Sequence, residues 1–269
     1  MGEPGDELDL SRAHGARIYD YVLGGKDNYA LDREAAEAAM QAWPGLRTSM
    51  RSNRAFMQRV GRFLTEERGI RQFLDIGTGI PTSPNLHEVV QGIAPEARIV
   101  YTDNDPVVLA HARVLMTSTP TGRTAYVHAD MRDPAAILAA PQLRATLDLD
   151  QPVALLAIAV LHFIEDDSEA LTVLRQLVDA LPPGSYLALS TGTADFDPEP
   201  LAGLVEAYQA RGEVMKLRDR AQVEKFFDGL ELLEPGVVQV HKWHADDLAK
   251  GLVKKDTDVA MYCGVARKP

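Results

Sequence analysis

Cysteine is nearly missing from this chain: Cys263 is the only one in 269 residues. One thiol excludes an intramolecular disulfide, a CxxC redox pair and a cysteine-built zinc site. Long apolar runs are lacking too, and none approaches the roughly 18 residues that read as a membrane span. The first ten residues, Met1 to Leu10, are acidic and contain no apolar stretch, so no signal peptide is expected. Position 6 is Asp where an N-myristoylation signal wants Ser or Thr. Basic charge is in deficit, 28 Lys+Arg against 39 Asp+Glu for a net −11. That argues against a nucleic-acid partner, because phosphate-backbone binding needs a basic face that releases counterions. A cytoplasmic protein without a membrane partner is expected.

What is present is the raw material of a sizeable core. Hydrophobic residues make up 46%, and a chain of this length buries enough of them to fold without staples. Three segments follow from the pattern. Residues 1–10 read as a disordered acidic tail, residues 11–69 as a helical segment, and residues 70–269 as one α/β domain. In the helical segment, Asp32 is placed to cap a helix over Arg33–Ala42 that stops at Trp43-Pro44-Gly45. A longer helix is predicted from about Thr48 to Glu67, with Phe56, Val60, Phe63 and Leu64 on one face. Asn53 leans toward that buried face, with Arg54 beside it.

Beyond Gln72, candidate strands at Gln72–Ile76, Arg98–Thr102, Thr124–Ala129, Pro152–Ala159 and Ser185–Ser190 alternate with helical patterns. The helices are expected near Pro84–Ile93, Pro106–Thr117, Pro134–Ala140, Asp167–Leu181, Pro200–Arg211 and Arg220–Phe227. Such alternation implies parallel βαβ units with right-handed crossovers. Leu230–Val240 and Val259–Ala266 lack a long helix between them, which fits an antiparallel pair at the sheet edge. The expected fold is therefore doubly wound, with a mostly parallel seven-stranded Rossmann-like sheet. Ligands are expected at the C-terminal ends of its strands.

The densest cluster of chemistry is Phe73-Leu-Asp75-Ile-Gly77-Thr78-Gly79-Ile-Pro-Thr82-Ser-Pro84. An apolar strand runs into two close glycines and then a helix, with Ser83 as cap and Pro84 in its first turn. The glycines serve either a nucleotide-like ligand approached by the backbone or a structural tight turn. Thr82 stands where a dinucleotide fingerprint has a third small residue, and this weakens a diphosphate-binding, nicotinamide-dependent reading. Asp75 would repel a pyrophosphate but can anchor a cationic amino acid group. Asp103 follows 24 residues after Gly79, at the end of the second strand. There an acid hydrogen-bonds ribose hydroxyls, at roughly 1.5–3 kcal/mol for a charged bond, or simply serves a turn. Asp105 before Pro106 reads as a helix cap. Asp130-Met131 after the third strand suits an adenine edge and face, or another cap.

In this order the chain resembles class I S-adenosylmethionine-dependent methyltransferases, with Leu161-His162-Phe163 following the fourth strand. More narrowly it resembles a bacterial, actinomycete-type S-adenosyl methyltransferase family first catalogued as a domain of unknown function. The residues that carry this are Ala16–Tyr29, Asn53-Arg-Ala-Phe-Met57, Phe73–Thr82, Asn85-Leu-His-Glu-Val89, Tyr101–His111 and Val160-Leu-His-Phe163. The likeness runs from about Ser11 to Lys268. One departure is Ser190-Thr191-Gly192, where relatives are expected to have Ser-His.

The resemblance implies S-adenosyl-L-methionine as cofactor and S-adenosyl-L-homocysteine as product. It puts Asp75, Gly77, Thr78 and Gly79 around the methionine moiety, Asp103 and Asn104 at the ribose, and Asp130 and Met131 at the adenine. Ala159 and Val160 would floor the sulfonium. It does not supply the methyl acceptor. No Asp/Asn-Pro-Pro-Tyr/Phe segment and no Pro-Cys pair is present, so a small-molecule acceptor at O or N is favoured over nucleic acid. A non-catalytic binding protein for the same cofactor is the alternative from another class.

Two further features have chemistry. Tyr19, Tyr21, Lys26, Asn28 and Tyr29 crowd around Gly24-Gly25 and read either as a lid over cofactor and substrate or as a solvated turn. Asn53 and Arg54 stand apart on the long helix; Arg54 suits a cofactor carboxylate or a plain surface position. His162 is the candidate general base, needed only if the acceptor must lose a proton, and otherwise packs at a strand–helix junction. No metal is expected.

Overall fold

The computed structural model describes residues 12–108 and 117–269. The expected acidic tail and most of the helix expected at Pro106–Thr117 lie outside the described residues. The N-terminal segment forms α1 (Gly15–Leu23), α2 (Ala30–Ala42) and α3 (Leu46–Glu66). Helix α2 starts three residues before the position expected from the sequence. Asp32 lies within its first turn, accepting hydrogen bonds from the Tyr29 N–H at 2.8 Å and the His14 N–H at 3.0 Å. It is thus a first-turn residue of a capping box and not the cap itself.

The sheet strands are β1 (Gln72–Ile76), β2 (Arg98–Asp103), β3 (Arg123–His128), β4 (Ala154–Ile158), β5 (Tyr186–Gly192), β6 (Glu231–Leu232), β7 (Val238–Gln239) and β8 (Met261–Arg267). Their order is β3-β2-β1-β4-β5-β8-β6, and β7 also pairs with β8. The first five are parallel, and β8 runs antiparallel between β5 and the short β6 and β7. Because β5 occupies one edge of β8, β6 and β7 share the other. Eight strands therefore make seven columns, a mostly parallel Rossmann-like sheet with an antiparallel C-terminal edge.

The crossover after β1 is α4 (Leu86–Gln91), shorter than expected and capped by Asn85 in place of Ser83. Glu88 at its third position folds back onto the Asn85 N–H, and this fixes the start there. After β3 come two short helices, α5 (Pro134–Ala139) and α6 (Pro141–Thr146), where one was expected. Pro141 restarts the helix after Ala140 leaves the helical region. Next are α7 (Asp167–Asp179), α8 (Pro198–Gln209), α9 (Arg220–Glu224) and α10 (Asp247–Leu252).

Strand alternation sorts side chains to two faces. Leu74, Ile76, Leu155 and Ala157 join Ile137, Leu143 and Leu174 in one core. Phe73, Ala154 and Leu156 face the other, with Phe56, Val60 and Leu64 of α3. There Phe56 and Phe63 meet Trp243 edge-on at 5.5 and 5.4 Å, and buried Arg59 donates to the Trp243 carbonyl at 3.0 Å. A third cluster joins α1 and α2 to Leu201, Leu204 and Tyr208 of α8. The N-terminal helices thus pack on α8 as well as on the sheet. Among the described residues no helix is long and apolar enough to cross a membrane.

Candidate functional site

A cavity of about 400 Å³ opens at the C-terminal ends of β1, β2 and β4, under α1, α3 and α8. Its cradle begins where β1 ends. Gly77 and Gly79 have φ of +69° and +68°, a left-handed region that glycine enters without a steric penalty. The two positions differ in what surrounds them. A Cβ on Gly77 would stand 2.4 Å from Val160 Cγ2, whereas one on Gly79 would meet nothing within 4 Å. Gly77 lets the β1 and β4 loops touch, and Gly79 presents bare backbone next to open space. Asp103 ties this loop to β2, accepting the Gly79 N–H at 2.8 Å on one oxygen and the Asp105 N–H at 2.9 Å on the other. Burial raises its pKa, and those two N–H groups oppose the rise.

Asp75 lies one residue along β1 from Leu74 and Ile76, so its side chain falls on the α3 face of the sheet. Burial there pushes its pKa from 3.8 up to about 7; the nearby Arg54 guanidinium works against the shift and Asp103 adds to it. Arg54 donates to the carbonyls of Thr82 and Pro84 and to Asn85 Oδ1, so it clamps the cradle loop to α3. Asn104 and Asp130 meet at 3.0 Å on the β2–β3 side, with Met131 buried beneath and Arg132 paired to Asp130 at 3.3 Å. Asp75, Gly77, Thr78, Gly79, Asp103, Asn104, Asp130, Met131, Ala159 and Val160 all line the one cavity.

The floor is strained. Ala159 has a φ of +56°, a conformation that costs a non-glycine residue on the order of 1–3 kcal/mol. Its N–H is held by Ser190 through both the backbone carbonyl and the hydroxyl, each at 3.0 Å. Ser190 in turn donates to Asn53 Oδ1 at 2.6 Å, and Asn53 donates to the Tyr19 hydroxyl at 3.2 Å. A hydrogen-bonded chain therefore runs from α1 through α3 to the tip of β4.

His162 sits in a 3₁₀ turn, Leu161–Phe163, and its ring lines the cavity. Its Nδ1 is buried without a hydrogen-bond partner. Burial, helped by the Arg218 guanidinium, pushes its pKa down to about 4, so the imidazole is neutral near pH 7. Arg218 is itself fully buried. It donates to the carbonyls of Leu161 and Ile164 at 2.9 and 2.8 Å and pairs with Asp167 at 2.9 Å. It shapes the turn that carries His162. Nothing in Leu217-Arg218-Asp219-Arg220 marks it as buried, because its partners lie more than 50 residues away.

The tyrosine-rich segment divides. Tyr19 lines the cavity, as do Asn53 and Arg54. Tyr21, Lys26, Asn28 and Tyr29 are not brought to it. The Tyr21 hydroxyl bonds Glu37 at 2.7 Å, Lys26 is exposed, and Asn28 bonds Asp20 at 2.8 Å. Tyr29 packs behind the cradle against Ile80, Val107 and Val108. The roof closes instead at Gly15, where an added Cβ would stand 2.9 Å from Phe163 Cζ. Asp105, expected as a helix cap, does more than that. Beyond accepting the Val107 N–H at 2.9 Å, it is buried against His14 Nδ1 at 3.2 Å and Arg17 Nε at 3.4 Å, tying α1 to the loop after β2. Past the cradle the cavity turns apolar, along Trp43, Leu46, Met50, Leu201, Leu204 and Leu217. No group of three metal-ligating side chains occurs among the described residues.

The sequence model of the S-adenosyl methyltransferase family matches residues 1–269. A DUF574-family protein from Streptomyces avermitilis MA-4680 is 56% identical, with 98% of this chain and 100% of that one covered and a TM-score of 0.95. A candidate methyltransferase from Thermobifida fusca YX is 38% identical, with 100% and 99% covered and a TM-score of 0.89. At 13% identity and a TM-score of 0.51, covering 78% and 84%, an S-adenosylmethionine-dependent methyltransferase from Anabaena variabilis ATCC 29413 shares the fold. No curated protein matches the chain.

Proposed function

Because the chain belongs to the S-adenosyl methyltransferase family and is an S-adenosylmethionine-dependent enzyme, we propose that it methylates O or N of a small molecule held in the apolar half of the cavity. The observation that carries this reading is the continuity of the space: an open-faced glycine cradle beside Asp103 leads directly into an apolar chamber. Bound S-adenosylmethionine supplies a methyl group on a sulfonium, which an acceptor lone pair displaces in line.

The residues divide the remaining work. Asp103 takes the ribose hydroxyls with the lone pairs left after the Gly79 and Asp105 N–H bonds, and Asn104 stands beside it. Asp130 and Met131 receive the adenine. Asp75 faces the ammonium of the amino acid end, and the bare Gly79 backbone lets that end approach. Ala159 and Val160, locked by Ser190 and Asn53, form a fixed floor at the point of transfer. Such fixing matters because orientation supplies up to roughly 7–11 kcal/mol of a barrier reduction in favourable systems. Neutral His162 accepts a hydrogen bond from the acceptor and receives its proton only as the methyl is transferred, since burial and Arg218 disfavour the imidazolium, while Gly15 against Phe163 and Tyr19 over Asn53 keep water out.

The test is transfer of labelled methyl from S-adenosylmethionine into fractions of a bacterial metabolite extract. Label in a small molecule, lost in His162→Gln with cofactor affinity retained, supports the reading. Label confined to protein or nucleic acid, or no transfer to any fraction, overturns it.

A further inference from the structure

We propose that the acceptor is an uncharged, mainly apolar ring compound offering a single hydroxyl or ring N–H toward His162. This rests on the reading of the cavity as a methyl-transfer site and names the class of molecule it takes. The distal wall is made of Trp43, Leu46, Met50, Leu201, Leu204 and Leu217. Trp43 presents only its ring face and edge there, because its indole N–H is turned to Asp197 at 3.3 Å.

Asp75 and Arg54 lie at the cradle end, which the cofactor's amino acid end takes in this reading, and the other charged groups at the cavity are engaged. Arg54 is held by the Thr82 and Pro84 carbonyls and Asn85. Arg132 bonds Asp130, Glu169 and the Phe163 carbonyl. Arg12 stands with His14 and Arg17 in the field of Glu213, opposing the upward push of burial on that carboxyl. In the apolar half, away from Arg54, a carboxylate or phosphate acceptor would have to leave water without a cation waiting for it. An ammonium would find in Glu213 a carboxylate that Arg12 and Arg17 already face. Burying a charge without a partner is strongly unfavourable, whereas one neutral hydroxyl needs one hydrogen bond. His162 is placed to make that bond: its ring lines the cavity and the residue is 8% exposed. A largely apolar pocket with a few convergent polar groups, His162 among them, orients a neutral ring compound and discriminates against ionic ones.

The probes are 2-naphthol, 2-naphthoate and 2-naphthylmethylammonium, titrated calorimetrically at pH 7.5 into full-length protein with saturating S-adenosylhomocysteine. Naphthol is expected to bind at least tenfold tighter than either ion. Met215→Glu, which adds a carboxylate to the lining from a loop position, is expected to weaken naphthol at least tenfold and to leave S-adenosylhomocysteine affinity within twofold. Equal or tighter binding of either ion overturns the proposal, as does absence of binding by all three or an unchanged naphthol affinity in Met215→Glu. If S-adenosylhomocysteine binds and the preference is missing, only the acceptor class falls. If S-adenosylhomocysteine itself does not bind, the methyl-transfer reading falls with it.

Discussion

Asp75 is the residue whose titration reports most directly on cofactor binding. Its pKa is moved from 3.8 to about 7 mainly by burial, so without cofactor it keeps its proton well above the usual carboxylate range. At about 1.4 kcal/mol per tenfold, ionising it in the empty site costs roughly 4 kcal/mol more than in the unfolded chain. The sign follows from the direction of the shift. A raised carboxyl pKa contributes stability that is present below pH 3.8 and is lost as pH rises through about 7. Asp75→Asn, which never ionises, should therefore gain stability relative to wild type as pH goes from 5 to 8, by roughly 2.5 kcal/mol, the rest of the difference having developed below pH 5.

Cofactor binding runs the other way. An ammonium paired with Asp75 favours the carboxylate, so affinity for S-adenosylhomocysteine should weaken about tenfold for each pH unit below 7 and level off by about 8. Calorimetry in two buffers of different ionisation enthalpy would show proton release at pH 6. Asp75→Asn should abolish both the pH slope and the proton release, and at pH 8 should bind more weakly by roughly 1.5–3 kcal/mol. A wild-type affinity flat between pH 5 and 8, or the same slope in Asp75→Asn, would refute the assignment of Asp75 to the ammonium.

Asp103→Ala should weaken S-adenosylhomocysteine by about 1.5–3 kcal/mol in calorimetry; unchanged affinity in a folded variant would leave Asp103 as a loop residue only. Asp105→Ala should lower stability to urea by roughly 3–5 kcal/mol, because it breaks a buried ion pair, whereas Asp133→Ala, at the simple cap of α5, should lose only about 1 kcal/mol. Ala159→Gly should raise stability by roughly 1 kcal/mol, since glycine relieves the left-handed backbone there. Hydrogen exchange over residues 15–19 should slow when S-adenosylhomocysteine binds, with residues 24–29 unchanged.

The sheet was legible because parallel strands buried on both faces leave continuous apolar runs, as in Phe73–Ile76 and Ala154–Ile158. The cradle was legible for the same reason: strand, paired glycines and terminal acid are all local. Helix starts were less so. Asp32 and Ser83 look like caps, yet Glu88 and Asp32 reach back to the residue that is. The arginines that shape the site were invisible. Arg218, Arg17 and Arg59 read as ordinary surface charge, and their burial depends on carbonyls and carboxylates far away in sequence. The same holds for Lys26 and Tyr21. Their chemistry suggested a lid, but Tyr21 lies on the far side of α1, bonded to Glu37, and Lys26 lies in the exposed loop past its end. Only the folded helix, which points positions 19 and 21 to opposite sides, and not composition, separates Tyr19 from Tyr21.

The measurement that bears most directly on the central claim is a crystal structure with S-adenosylhomocysteine bound. The account predicts ribose hydroxyls on Asp103, adenine between Asp130 and Met131, the sulfur over Ala159 and Val160, and the apolar chamber open beyond it toward Trp43. A ligand bound elsewhere, or one whose ribose lies out of hydrogen-bonding reach of Asp103, would contradict it.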